Sequence, residues 1–160
     1  MPFRVLTVCT GNICRSPSAE VMLRDRLAAA GLGALVEVDS AGTADYHVGE
    51  PPSEPALRVG AQRGYDLTPL RARQVAVADF DAFDLILAMD RGHLSRLSAL
   101  RPAGSRAELR LFLALSPEAG DEVPDPYYGG DSDYQAMFDL LEAATPAWVA
   151  HLRDSLSAPA

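Results

Sequence analysis

The sequence predicts an α/β fold with three layers: a four-stranded parallel sheet, strand order 2-1-3-4, between helices on both faces. Three observations predict it. Short apolar runs alternate along the chain with segments of helical spacing, which implies parallel strands joined by right-handed crossovers. The first run, Val5-Leu6 with Val8, is aliphatic and nearly continuous, as a strand covered on both faces requires. The 160 residues are 48% hydrophobic, enough for one domain, residues 1–160, with a sizeable core. No repeat, low-complexity stretch or linker divides the chain.

The elements follow in order. Phe3 and Arg4 lead into the first strand. Ser16-Pro17 then opens a helix, with Ser as N-cap and Pro in the first turn, where its missing N–H costs nothing. Ala19, Met22, Leu23, Leu27 and Ala30 keep helical spacing, and Gly31 and Gly33 end it. Leu35 to Asp39 is the second strand. Residues 40–54 form a loop rich in Gly, Pro and Ser, long enough to be functional. Pro55 to Gln62 reads as a helix, and Asp79 starts a short one. Phe83 to Met89 is the third strand, and Asp90 to Leu100 a helix ended by Pro102 and Gly104. Leu109 to Leu113 is the fourth strand, and residues 116–132 are a loop. The last helix starts near Asp133 and buries Tyr134, Met137, Phe138 and Leu141. Pro146 should kink or restart it before Trp148 and Leu152 pack back on the body, with residues 155–160 frayed. The first crossover returns beside strand one and the next goes the other way. The switch point, the usual ligand position in an open sheet, therefore falls at the loop after strand one.

That loop reads Cys9-Thr10-Gly11-Asn12-Ile13-Cys14-Arg15-Ser16. A cysteine followed after five residues by arginine and a hydroxyl lets a loop wrap a tetrahedral oxyanion with sulfur beneath it. Loop N–H groups converge on the anion, and the helix N-terminus adds positive potential. The same field favours the thiolate of Cys9, the form that attacks. Arg15 offers a planar fork for two phosphate oxygens. A lone cysteine at a strand end is usually a buried hydrophobe, but five such residue types within eight positions outweigh that.

Cys9 and Cys14 make a C-x4-C pair. As half of a zinc site it lacks the other half, because His47, His93 and His151 stand singly. Two readings of Cys14 stand side by side. One is a redox partner whose reversible disulfide protects Cys9 from over-oxidation; the other is a packed apolar residue.

With Val8 before it and Pro17-Ser18-Ala19-Glu20 after, this loop resembles that of the low-molecular-weight protein tyrosine phosphatases. Three further stretches extend the resemblance over nearly the whole chain: Ser40-Ala41-Gly42-Thr43 with Tyr46-His47-Val48-Gly49-Glu50-Pro51-Pro52, Ala72-Arg73-Gln74-Val75, and Pro124-Asp125-Pro126-Tyr127-Tyr128-Gly129. The resemblance implies a flavodoxin-like sheet, a phosphocysteine mechanism and no requirement for metal or other cofactor. By position, Cys9 is the nucleophile, Arg15 the phosphate clamp and Asp125 the general acid and later base. Thr10, Gly11, Asn12, Ile13, Cys14 and Ser16 complete the phosphate-binding loop. Ser16 steadies the thiolate, Asn12 and Ser40 hold the strained loop, and Tyr46, Tyr127 and Tyr128 line the pocket mouth. Many eukaryotic members carry a histidine before Ala72-Arg73-Gln74. Leu70 and Arg71 occupy that region here, so support from that side must differ.

The chemistry wants these types. Phosphate-ester hydrolysis needs charge stabilisation and a proton for the leaving group. Asp125 sits between two prolines that restrict its loop. Alone it is a common turn residue; beside the Cys9 loop and two tyrosines it is the best acid in the chain. Asp90 reads as the cap of the next helix, and Asp45, Asp121, Asp131 and Asp133 as solvated loop charges. A tyrosine-lined slot holds a phenyl phosphate by stacking, and the shorter phosphoserine does not bring its phosphorus to the sulfur of a deep one. His47 reads as a rim residue, and His93 and His151 as helix-surface residues.

The formal net charge of −8 argues against nonspecific nucleic-acid binding. All fourteen basic residues are arginine, which reads as a coding bias. No signal-peptide pattern or membrane-length apolar run is present, and two cysteines suit a reducing cytoplasm. The expected partners are a phosphotyrosine protein or peptide, with inorganic phosphate as product; the expected state is a monomer. Two rival functions remain. An arsenate reductase of similar fold relays a disulfide through further cysteines, and residues 15–160 have none, so only a form assisted by mycothiol or glutathione fits. A silent phosphotyrosine-binding module would lack Cys9 or Asp125, and both are present.

Overall fold

The computed structural model describes residues 1–157. Its elements run β1 (Phe3–Cys9), α1 (Arg15–Ala29), β2 (Val36–Gly42), α2 (Glu54–Gln62), α3 (Asp79–Ala82), β3 (Leu85–Ala88), α4 (Arg91–Leu100), β4 (Glu108–Leu111), a 3₁₀ turn (Pro117–Ala119) and α5 (Asp131–Ser157). The four strands form one parallel sheet in the order β2-β1-β3-β4, as expected.

Strand periodicity sorts the core into two halves. Val5, Leu85 and Leu87 point to one face, where α1, α2 and α5 bring Met22, Leu23, Val59, Phe138 and Trp148. Leu6, Val8, Ile86 and Ala88 point to the other, against Phe80 of α3 and Leu97 of α4. Successive residues of β1 and β3 are thus buried on opposite faces, which is why their runs are apolar without alternation.

Several boundaries depart from expectation for physical reasons. β2 continues through Ser40-Ala41-Gly42, because these residues pair with Thr7-Val8-Cys9. That register carries β2 up to the Cys9 loop. β3 and β4 are shorter than predicted, four residues each. α1 begins at Arg15 with Cys14 at the N-cap, two residues earlier than a Ser16 cap allows. The Ser16 hydroxyl is not free to cap: it bonds the Ala41 carbonyl and faces Cys9 and Asn12.

α5 begins at Asp131 and runs through Pro146 without restarting. Packing holds it there. Tyr134, Phe138, Leu141 and Trp148 along it are each at most 1% exposed. The Trp148 indole also donates to the Phe112 carbonyl at 2.6 Å. Burial of such rings is worth roughly 3–5 kcal/mol each against alanine, which matches the ~3 kcal/mol an interior proline costs. Ser155–Ser157 are helical rather than frayed, and residues 158–160 of that expectation lie outside the described residues.

Candidate active site

β1 delivers Cys9, 2% exposed, to the C-terminal edge of the sheet, and the chain turns through residues 10–14 into α1. The turn is strained at one point. Asn12 has φ +59°, a left-handed conformation uncommon outside glycine. Its side chain stabilises that conformation. Nδ2 donates to Ser16 Oγ at 2.7 Å and Ser40 Oγ at 2.9 Å, and Oδ1 accepts the Arg73 N–H at 3.0 Å. Ser40 in turn donates to Glu20 Oε1 at 2.6 Å. Burial pushes the Glu20 carboxyl above its ordinary range despite Ser40 and Arg24. Gly42 closes in from β2: a Cβ there would lie 2.5 Å from the Thr10 carbonyl oxygen. Only glycine permits that approach.

Ser16 Oγ lies 3.0 Å from Cys9 Sγ. Arg15, 3% exposed, is anchored on one side: Nη1 donates to Asp90 Oδ2 at 2.9 Å and to the Val123 carbonyl at 3.0 Å. Nη2 lies 3.5 Å from Thr10 Oγ1 and 3.6 Å from Asp125 Oδ2. Nε is buried without a partner. A buried guanidinium N–H with no acceptor calls for one, and an anion seated on the loop would supply it.

Cys9, Arg15 and Asp125 line one pocket of about 170 Å³, with Tyr46, Tyr127 and Tyr128 at its mouth. Tyr128 is 94% and Tyr46 76% exposed. Tyr127 and Tyr128 meet edge to face at 4.8 Å, and His47 leans on Tyr127 at 5.7 Å. The Asp125 carboxylate is steadied by the Tyr127 N–H at 3.1 Å. Among the described residues no three His, Cys, Asp or Glu side chains gather as a metal site would require.

A sequence model described as low molecular weight phosphotyrosine protein phosphatase matches residues 4–158. The chain belongs to this family. It is 44% identical over 160 residues to the low molecular weight protein-tyrosine-phosphatase of Streptomyces coelicolor, covering 98% of this chain and 97% of that one. It is 42% identical over 154 residues to low molecular weight protein-tyrosine phosphatase A of Mycobacterium tuberculosis, covering 92% of each. The crystal structure of a protein tyrosine phosphatase from Entamoeba histolytica, with Hepes in its active site, superposes with a TM-score of 0.91 at 34% identity. The match covers 96% of this chain and 99% of that chain.

This member of the phosphatase family differs from the sequence reading in several details. On the side where Leu70 and Arg71 stand, Arg73 supports the loop. Its backbone N–H holds Asn12, and its guanidinium pairs with Asp39 and Asp79. Asp90 caps α4 by accepting the His93 N–H at 3.0 Å, and also grips Arg15. Cys14 is buried, with Sγ 3.4 Å from both Ser53 Oγ and Tyr134 Oη. Burial pushes its thiol up from the ordinary range and pushes Tyr134 up likewise. Both cysteines are free thiols.

His93 is the correction. It is not a helix-surface residue: it is 4% exposed, and its Nε2 lies 2.7 Å from Thr10 Oγ1. Burial first, and Arg15 second, push its pKa down to about 4, so the ring is neutral at neutral pH. A signal was available: His93 and Leu97 stand four apart on the buried stripe of α4. Neither Val123 nor Tyr134 announced its place at the site, since each reads as ordinary core. His151 packs edge-on against Trp148 at 5.6 Å.

Proposed function

We propose that this chain is a protein-tyrosine phosphatase of one domain, residues 1–160, hydrolysing phosphotyrosine monoesters through a phosphocysteine intermediate. One observation carries the reading: Cys9, Arg15 and Asp125 line the same small pocket, beneath a rim of three tyrosines. Cys9 Sγ attacks phosphorus, an S–P bond forms and the P–O bond to the phenol breaks. Asp125 gives its proton to the leaving oxygen. Water then attacks the phosphocysteine and Asp125 takes its proton. The S–P bond breaks, releasing inorganic phosphate and the Cys9 thiolate, which Ser16 Oγ steadies.

Arg15 and the loop N–H groups of residues 10–14 hold the phosphoryl oxygens through both steps. Asn12 and Ser40 keep those N–H groups turned inward. Tyr46, Tyr127 and Tyr128 stack on the phenyl ring and set the depth that excludes phosphoserine. The working form is a monomer in the reducing cytoplasm, where Cys9 stays reduced.

The test is phosphate release from phosphotyrosine and phosphoserine peptides in EDTA, with Cys9→Ser alongside. EDTA-resistant release from phosphotyrosine alone, lost in the variant but with vanadate binding kept, is the expected result. Release from neither peptide would overturn the reading in favour of thiol-assisted arsenate reduction or a silent binder. Turnover by Cys9→Ser within a few-fold of wild type would remove the nucleophile assignment.

A further inference from the structure

A run of polar contacts lies behind the loop. Arg15 Nη1 donates to Asp90 Oδ2 at 2.9 Å. Asp90 Oδ1 accepts the His93 backbone N–H at 3.0 Å and lies 3.1 Å from His93 Nδ1. His93 Nε2 is 2.7 Å from Thr10 Oγ1, and Arg15 Nη2 reaches the same hydroxyl at 3.5 Å. Thr10 and Arg15 belong to the Cys9 loop, whereas Asp90 and His93 belong to the start of α4. These contacts therefore tie the loop to the opposite layer of the fold.

We propose that His93 is a positioning residue: its imidazole holds the Thr10 hydroxyl, and through it the first turn of the loop and the free edge of the Arg15 fork. The inference rests on the reading of the Cys9 loop as a phosphate site. One proton arrangement satisfies the Thr10 hydroxyl, while His93 Nδ1 is buried without a hydrogen-bond partner. Thr10 Oγ1 accepts from Arg15 Nη2 and donates its own hydrogen to His93 Nε2. The imidazole proton then sits on Nδ1, 3.1 Å from Asp90 Oδ1 but not aligned for a hydrogen bond to it. This arrangement requires a neutral ring, since an imidazolium has no lone pair to accept. Burial and the nearby Arg15 charge keep it neutral at working pH.

Leucine at position 93 fills similar space and offers no hydrogen bond. Glutamine reaches about as far as Nε2 and offers an amide to Thr10. The experiment measures phosphate affinity by calorimetry, and kcat and KM on p-nitrophenyl phosphate, for His93→Leu, His93→Gln, Thr10→Val and the double variant His93→Leu/Thr10→Val. Circular dichroism checks the fold. His93→Leu should weaken phosphate binding and kcat/KM about tenfold, the worth of one buried hydrogen bond. His93→Gln should recover to within about threefold, and Thr10→Val should match His93→Leu. The double variant should be no worse than either single, because one bond is lost once.

Phosphate affinity of His93→Leu equal to wild type would overturn the inference. So would losses that multiply in the double variant, or a glutamine no better than leucine. If His93→Leu does not fold, Thr10→Val reads the same bond from its other end, and wild-type affinity there is likewise fatal. A wild-type protein that binds phosphate but does not hydrolyse phosphotyrosine overturns the proposed activity alone, since binding still reads the His93 contact. Wild-type protein that binds no phosphate overturns both.

Discussion

Acidification should cost this fold stability at His93. The folded ring takes a proton only near pH 4, because burial and Arg15 oppose the charge, whereas an unfolded histidine takes one near 6.5. Between those values the unfolded chain binds more protons, so stability falls as pH falls through the window. The shift corresponds to about 3 kcal/mol once complete, and about 2 kcal/mol of it is lost by pH 5. Arg15, Asp90, Glu122 and Asp125 are the charged groups that bear on the ring. Asp90 is held below its ordinary range. Burial would raise it, but the His93 N–H, the His93 ring and Arg15 outweigh burial, so its own loss comes only below about pH 4. Glu20 has the opposite sign: its folded carboxyl binds a proton first, which offsets part of the loss.

A difference between two proteins removes those contributions. Urea unfolding of wild type and His93→Gln at pH 7.5 and pH 5.0, in phosphate-free buffer so that no bound anion adds stability, isolates the ring. Wild type should lose about 2 kcal/mol more than the variant between the two pH values. By thermal melting that is about 4–8 °C at this chain length. Equal losses in the two proteins would refute the reasoning, and so would a larger loss in the variant.

Three other perturbations test the site. Gly42→Ala places a methyl 2.5 Å from the Thr10 carbonyl and 3.2 Å from the Asn12 nitrogen, both backbone atoms. It should cost about 1–3 kcal/mol of stability by overpacking and lower kcat/KM at least about a hundredfold by moving the loop; unchanged kinetics would mean that the close approach is unimportant. Asp125→Asn should slow phenyl phosphate by about 10²–10⁴ and a dinitrophenyl ester far less, because a good leaving group needs no proton; equal slowing across leaving groups would remove its acid role. Mild peroxide should inactivate reversibly, with Cys9 oxidised first and Cys14 closing the disulfide. Recovery of Cys14→Ser by dithiothreitol as full as that of wild type would leave Cys14 a packing residue, which its contacts with Ser53 and Tyr134 also suit.

Legibility in the sequence followed locality. The Cys9 loop and the proline-flanked Asp125 were readable because each packs its chemistry into a few consecutive residues. The strand order was readable because β1 and β3 carry apolar residues on both faces. What escaped depends on the third dimension. His93 follows the same sequence rules as an exposed helical histidine, and only the approach of Thr10 from β1 gives it a partner. Ser16 looks like a helix cap, but β2 brings the Ala41 carbonyl to it and the loop brings Cys9 and Asn12. Pro146 reads as a break, and the fully buried Trp148 two residues on keeps the helix in place. Each miss is a local preference overruled by a contact distant in sequence.

The two ends of Arg15 show how an acidic chain can still favour a phosphate. The net charge of −8 offers no general attraction, and carboxylates lie 2.9 and 3.6 Å from this guanidinium. Selection must therefore come from orientation. Asp90 and the Val123 carbonyl fix Nη1. The remaining edge, Nε with Nη2, is the side that can meet two oxygens of one phosphate in parallel. Nε is buried and without a partner, while Nη2 is shared with Thr10 and Asp125. On the proposed reading, a phosphate on the loop would take that edge whole and meet Asp125 at Nη2. A lysine in this position, a point charge without a second edge, has no means of making that two-point contact.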